Sequence, residues 1–450
     1  MYGEKNMVHT FSADGTFYLF DNASGALHIC DALTAEVVKK RNGEPYDLRG
    51  VKEEDVKEIE EEIAELEKQG VLFAEEEKEI PAKSEEIKAL CLHICHDCNL
   101  RCEYCFAGQG NYKGRSEYMS FEVAKAAVDF LIANSGKRKI LETDFFGGEP
   151  LMNLAVVKQT VDYAKAQGKA HGKKFLFTLT TNGVLLDEET ARYLNEEMEN
   201  VVLSIDGRKE VHDGVRKTVN GKGSYDVIIE NITRFVKMRG DRHYYVRGTF
   251  TKKNLDFGND VLYLADKGLT EISLEPVVTD ENSPLYISEE DVPAIAEEYR
   301  RLAREYKRRK AAGEKLFRFF HFQIDLDGGP CLRKRVSACG AGNEYFSVTP
   351  SGDIFPCHQF ADLPEYKMGT VFEGKLDGRI RSIFRDNNLY TRKACENCFA
   401  KYHCSGGCPA NNIRKGGDIN TPYKVTCGMM KARMECALDL YAAEKSEENR

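Results

Sequence analysis

Three thiols are spaced by three and then two residues in the run His96-Asp97-Cys98-Asn99-Leu100-Arg101-Cys102-Glu103-Tyr104-Cys105. Four thiolates close an iron–sulfur cubane, whereas three leave one iron with a free coordination position. A structural zinc site is the competing reading, but zinc is usually held by four ligands, commonly in paired CxxC spacing. A second set of cysteines lies far downstream. Cys339 is followed after twelve residues by Gly352, and Cys357 comes four residues later. Cys395, Cys398, Cys404 and Cys408 are then separated by two, five and three residues, and Cys427 follows.

The elements that must position these residues are legible in the hydrophobic pattern. From residue 86 to about 312, apolar strand-like runs alternate with amphipathic helical patterns. The strands are expected at Ile87–Ile94, Ile140–Phe146, Phe175–Thr180, Val201–Ile205, Tyr244–Phe250 and Ile272–Val277. Helices are expected near 121–134, 154–167, 187–198, 225–238, 257–267 and 290–312. Six such repeats imply a parallel sheet covered by helices, open or curled into a partial barrel. The first cysteine loop follows the first strand, at the sheet edge where ligands bind in folds of this kind. From about 316 the alternation stops, Gly, Cys and Pro become dense, and a terminal helix is expected near 428–445.

With this spacing after a first strand, the chain resembles the radical S-adenosylmethionine superfamily over residues 90–280. The resemblance implies a [4Fe–4S] cluster on Cys98, Cys102 and Cys105. Its open iron would chelate the methionine amino and carboxylate groups of S-adenosylmethionine, and reduction would release the 5′-deoxyadenosyl radical. Tyr104 matches the aromatic position that lies against the adenine. Gly147-Gly148-Glu149-Pro150 resembles the motif that meets the methionine ammonium, with glycines for close approach and Glu149 as a charged acceptor. Thr181 ends the third strand; Ser204 and Asp206, ending the fourth, resemble the ribose-side contacts. Arg216 is expected near the cofactor carboxylate, and Glu275 is a further cofactor-binding candidate on the sixth strand. His212 reads as a positioning residue, and no catalytic base is nominated.

The downstream cysteines resemble the SPASM extension, which carries two auxiliary [4Fe–4S] clusters. That resemblance assigns Cys395, Cys398, Cys404 and Cys427 to an outer cluster and Cys339, Cys357 and Cys408 to an inner one. The fourth inner position is expected to be open to a substrate thiolate, with Cys331 as the alternative ligand. A zinc-ribbon-like domain is the other reading of this zone.

Residues 1–80 form a separate unit in the pattern. Short strands are expected at Met7–Phe11, Thr16–Phe20 and Ala26–Cys30, followed by helices near Leu33–Arg41 and Glu53–Gln69. The acidic stretch Glu75–Pro81 reads as a linker. The order resembles the winged-helix-like RiPP recognition element, in which a leader peptide adds a strand beside the third strand.

The chain has 450 residues and a net charge of −9, with 42% hydrophobic and 30% charged residues. These values describe a globular protein of several domains and argue against nucleic acid or an anionic membrane as partner. Without a signal-like or membrane-spanning run it is expected in the cytoplasm. In that reducing setting its fifteen cysteines read as metal or redox ligands.

The expected architecture is therefore an α/β protein in three parts. A recognition unit (1–80) precedes a partial (β/α)6 TIM-like barrel (86–312) and a cysteine-rich SPASM region (316–450). This combination resembles the sactipeptide maturases, most closely the SCIFF peptide maturases, which join a cysteine sulfur to an α-carbon of a ribosomal precursor peptide. The resemblance implies three [4Fe–4S] clusters, S-adenosylmethionine, and an electron donor such as flavodoxin or ferredoxin. The alternatives are another radical modification, such as a carbon–carbon crosslink or sulfatase-type oxidation, and a non-catalytic peptide-binding iron–sulfur protein.

Overall fold

The computed structural model describes residues 7–76, 80, 84–326 and 336–448. Part of the expected linker and Cys331 lie outside the described residues.

The front unit opens with three antiparallel strands, β1 (His9–Ala13), β2 (Thr16–Phe20) and β3 (Leu27–Cys30), in the order β1-β2-β3. Helices α1 (Ala32–Asn42) and α2 (Glu53–Lys68) follow. Asp31 caps α1 by accepting from Thr34 N, and Gly43 ends it in the left-handed region that glycine tolerates. One face of α2 supplies Val56, Ile59, Ile63 and Leu66 to a small core with Val8, Leu19, Val37 and Leu72. Its glutamates face outward, as the sequence pattern requires.

The central sheet begins with β4 (Ala89–Cys95), every residue of which is buried. A short ribbon strand, β5 (Leu100–Cys102), carries the second cysteine of the first loop. Then come α3 (Phe121–Asn134), β6 (Ile140–Gly147), α4 (Leu154–Ala170), β7 (Lys174–Thr181), α5 (Glu188–Glu197) and β8 (Asn200–Ser204). The short helix α6 (Lys209–Val215) leads into β9 (Arg216–Thr218), which pairs antiparallel with β5. The core closes with α7 (Tyr225–Arg239), β10 (Tyr244–Phe250), α8 (Phe257–Asp266), β11 (Glu271–Pro276) and α9 (Val292–Ala311). The six long strands run in the order β4-β6-β7-β8-β10-β11, all parallel. Along β6, Leu141, Thr143 and Phe145 are buried while Glu142, Asp144 and Phe146 are half-buried, the period-two alternation of a strand with two different faces.

The sheet does not stop at six strands. β12 (Arg318–Phe319) adds beside β11, and β13 (Tyr345–Val348) runs parallel to β4. β14 (Asp353–Phe355) and β15 (Gly369–Thr370) extend that edge in antiparallel pairs. Gly352, at φ +87°, makes the turn between β13 and β14. The cysteine-rich C-terminal region thus grows out of the central sheet, and one hydrophobic core runs from Ile87 to Leu440. Helix α10 (Gly378–Asp386) and the terminal helix α11 (Lys424–Glu448) complete the chain.

The front unit rests on this C-terminal region. Phe11, Tyr18 and Phe20 pack with Ala400, Met434 and Leu438, and burying side chains of this size contributes about 1.5–3 kcal/mol each. The His9 ring stacks on Phe399 at 3.4 Å, Tyr18 donates to Asp439 at 2.9 Å, and Asn22 Nδ2 donates to Cys398 O at 3.2 Å. Glu76 takes Lys401 at 2.9 Å and also accepts from Tyr402. No described helix is long and apolar enough to cross a membrane.

Candidate active site

The first cysteine loop leaves the buried end of β4 and is held from beneath by the turn after β6. Gly148 N donates to Cys95 O at 2.8 Å and Glu149 N to Asp97 O at 2.9 Å. The Cys95 thiol donates back to Glu149 O at 3.1 Å. It is therefore a packing residue of the loop, and this turn and the loop form one unit.

Within the loop, Cys98, Cys102 and Cys105 lie in one another's electrostatic reach. Burial, with Glu149 nearby, pushes the Cys98 thiol up to about 12. Burial also lifts Cys102 to about 11, opposed by the Arg216 guanidinium. Leu100 N and Asn182 Nδ2 stand 3.4 and 3.7 Å from Cys98 Sγ, donors suited to a sulfur anion. Thiols held protonated by burial become thiolates when a metal replaces the proton, so the donor set fits an iron–sulfur cluster.

Glu149 is fully enclosed. Its Oε1 accepts from Thr181 Oγ1 at 2.8 Å and Leu151 N at 3.1 Å, and its Oε2 from Asn182 N at 2.7 Å. Burial raises its carboxyl to about 6 against those hydrogen bonds. The side chain thus ties the ends of β6 and β7 together, and only one Oε2 lone pair is left for a ligand.

A second network joins the loop to β8 and β9. Tyr104 OH donates to Asp206 at 2.8 Å and accepts from Arg216 Nη1 at 2.8 Å; Thr249 N donates to Asp206 at 3.0 Å. Arg216 lies opposite Cys102 in the β5–β9 ribbon, and its Nε is buried without a hydrogen-bond partner. An orphaned guanidinium donor beside the cysteines fits a carboxylate-bearing ligand. Ser204 is half-buried at the end of β8. His212 accepts from Asp206 N at 3.4 Å and meets Ser224 Oγ at 3.0 Å, and burial keeps it neutral, down to about 2. It positions Asp206 and does not act as an acid.

Glu275 stands apart from these networks. Arg433 Nη2 donates to it at 3.2 Å, His321 Nε2 lies 3.5 Å away, and Cys408 feels its charge. The structure therefore brings Glu275 to Cys408, Arg433 and His321, and no hydrogen bond or ion pair among the described residues joins it to Glu149, Asp206 or Arg216.

The downstream thiols fall into two groups. Cys357, deeply buried in the loop after β14, is within electrostatic reach of Cys408 and Cys339. Cys427, on the first turn of α11, is lifted to about 12 by burial and by Cys404, Cys395 and Cys398.

Other residues carried no motif. His93 Nδ1 and His96 Nε2 are 2.9 Å apart, and Tyr112 packs on both rings. Phe106 and Phe146 flank His358, the neighbour of Cys357. This aromatic wall stands between the first loop and the inner cysteine group. Its one sequence signal is the polar alternation of His93 with the apolar residues of β4.

Residues 92–254 match the family model of the Radical SAM superfamily. Over that stretch the chain is similar to the radical SAM superfamily. Its members use S-adenosylmethionine and a [4Fe–4S] cluster, and the residues described above fit both. Among relatives of the chain, the radical SAM cyclopropyl synthase TigE of Paramaledivibacter caminithermalis is 24% identical over 370 residues, covering 77% of this chain and 73% of that protein. The solved structure of native anSMEcpe with bound AdoMet aligns with a TM-score of 0.65 at 19% identity, covering 80% of this chain and 99% of that one. Streptococcus suis SuiB bound to its precursor peptide SuiA aligns with a TM-score of 0.50 at 14% identity, covering 94% and 98%. These two structures share the fold.

Proposed function

We propose that this radical SAM enzyme is a peptide maturase that joins a cysteine sulfur to the α-carbon of another residue in a ribosomal precursor peptide. The observation that carries the reading is the division of seven downstream cysteines into a group of four and a group of three. A four-thiol group is a closed site, whereas the group of Cys339, Cys357 and Cys408 keeps one position for a substrate thiolate.

When bound, S-adenosylmethionine and the iron–sulfur groups supply a hydrogen-abstracting radical and an acceptor for the surplus electron. Glu149 and Thr181 hold the turn that faces the methionine end, while Arg216, with its spare Nε–H, takes the carboxylate. Asp206, fixed by Tyr104 and Thr249, orients the ribose side with Ser204. The His93–Tyr112–His358 wall bounds the space between the two reacting ends and excludes water from it. The α-carbon loses a hydrogen atom, the cysteine loses its thiol proton, and one carbon–sulfur bond forms. One electron is left over, so the peptide becomes two hydrogens lighter.

The front unit is read as the leader-binding element. β3 pairs only with β2 among the described residues, and Ile29 on it is 57% exposed, an edge open to an added strand. Similarity to SuiB, solved with its precursor peptide, supports a peptide partner.

Anaerobically reconstituted enzyme, supplied with a reductant, S-adenosylmethionine and its cognate peptide, is expected to yield a product two hydrogens lighter with a thioether on fragmentation. Cofactor cleavage with unchanged peptide mass overturns the reading. A carbon–carbon bond in the fragments selects the second reading, which similarity to the cyclopropyl synthase favours.

A further inference from the structure

Arg392 is 2% exposed and lies just ahead of Cys395. Its Nη1 donates to Ser405 O at 2.8 Å, its Nη2 to Asn387 Oδ1, and its Nε to Ile419 O at 3.5 Å. All three acceptors are neutral, and no carboxylate lies within ion-pair distance among the described residues. The acidic groups whose charge reaches the guanidinium are Cys395 and Cys404 of the group of four and Cys339 of the group of three.

The fold makes room for this cation deliberately. Ser405 and Gly406 both adopt left-handed backbone, φ +54° and +78°, and a β-carbon on Gly406 would lie 2.4 Å from Arg392 Nη1. Arginine does not give up its proton in proteins. A guanidinium buried among neutral acceptors is strongly unfavourable unless anions stand close by. Thiols cannot supply that charge while protonated. Thiolates bound to iron can.

We propose that Arg392 is the shared counter-cation of the two downstream cysteine groups and sets the potential at which iron–sulfur centres there accept an electron. The inference rests on reading those groups as cluster ligands. Reduction adds negative charge, so a buried cation beside both centres favours their reduced forms, and neutralising it lowers their potentials.

The test uses the full chain, reconstituted anaerobically, as wild type, R392Q and R392K. Iron and sulfide are counted, and midpoint potentials are measured by redox titration followed by electron paramagnetic resonance. The expected result is wild-type iron in R392Q with at least one downstream midpoint lowered by about 59 mV, a tenfold shift in a one-electron equilibrium; R392K restores it. Unchanged midpoints in fully loaded R392Q overturn the inference. Should R392Q lose iron, retention by R392K upholds the need for charge, and loss from both overturns it. Wild-type protein that binds iron at the first loop alone removes the cluster reading itself, and the inference with it.

Discussion

Gly148 and Asp97 approach so closely that a β-carbon on Gly148 would lie 1.8 Å from the Asp97 carbonyl oxygen. The turn after β6 and the first cysteine loop are therefore in backbone contact, with no side chain between them. Gly148→Ala must push the loop away, an overpacking of about 1–3 kcal/mol. A displacement of about 1 Å at a reacting centre lowers rates by about a hundredfold. Reductive release of deoxyadenosine is expected to fall on that scale while circular dichroism stays native. A variant with wild-type release would show that the loop yields freely.

Tyr104 links two charged groups through one hydroxyl. Tyr104→Phe leaves Arg216 Nη1 and Asp206 each short of a buried partner, a cost of about 1–3 kcal/mol for each unsatisfied group. Denaturant unfolding should register the loss, and equilibrium dialysis should show weaker binding of S-adenosylmethionine. Equal affinity in both proteins would exclude the network from cofactor binding.

His212 makes stability depend on pH. Burial holds its folded pKa at about 2, whereas an unfolded histidine titrates near 6.5. Below about pH 6.5 the unfolded chain binds a proton that the folded chain refuses, so stability falls as pH falls, by up to about 1.4 kcal/mol per unit for this group. His212→Asn should flatten that slope between pH 6.5 and 5. Parallel curves for the two proteins would refute the assignment.

Phe399 carries the front unit's stacking contact. Phe399→Ala removes the His9 stack, worth about 0.5–1.5 kcal/mol beyond area burial. Amide exchange across β1 and β2 should quicken while that of β4 and β6 is unchanged. Uniform exchange behaviour would mean that the remaining contacts of the seam hold it without the stack.

The six core strands were legible because their signal is local. β4 is a run of buried residues and β6 alternates strictly, and each strand lies within two residues of its expected place. The spacing of the cysteines is likewise a local signal, readable without knowing the fold. The β5–β9 ribbon escaped, since three-residue strands give no period and their partners lie more than a hundred residues apart. The joining of β13 to β4 escaped for the same reason. Arg392 was invisible: a lone arginine in a charged segment reads as surface until its acceptors are seen. Glu275 followed the strand-end pattern of the other candidates, but Arg433 from the distant terminal helix claims it.

Since β13 zips along the very strand that delivers the first cysteine loop, the tail of this protein is not an interchangeable module. A tail grafted from a related chain must bring an edge that matches β4 residue for residue. With a mismatched edge, exchanging the tail disturbs the strand that carries the first cysteine loop.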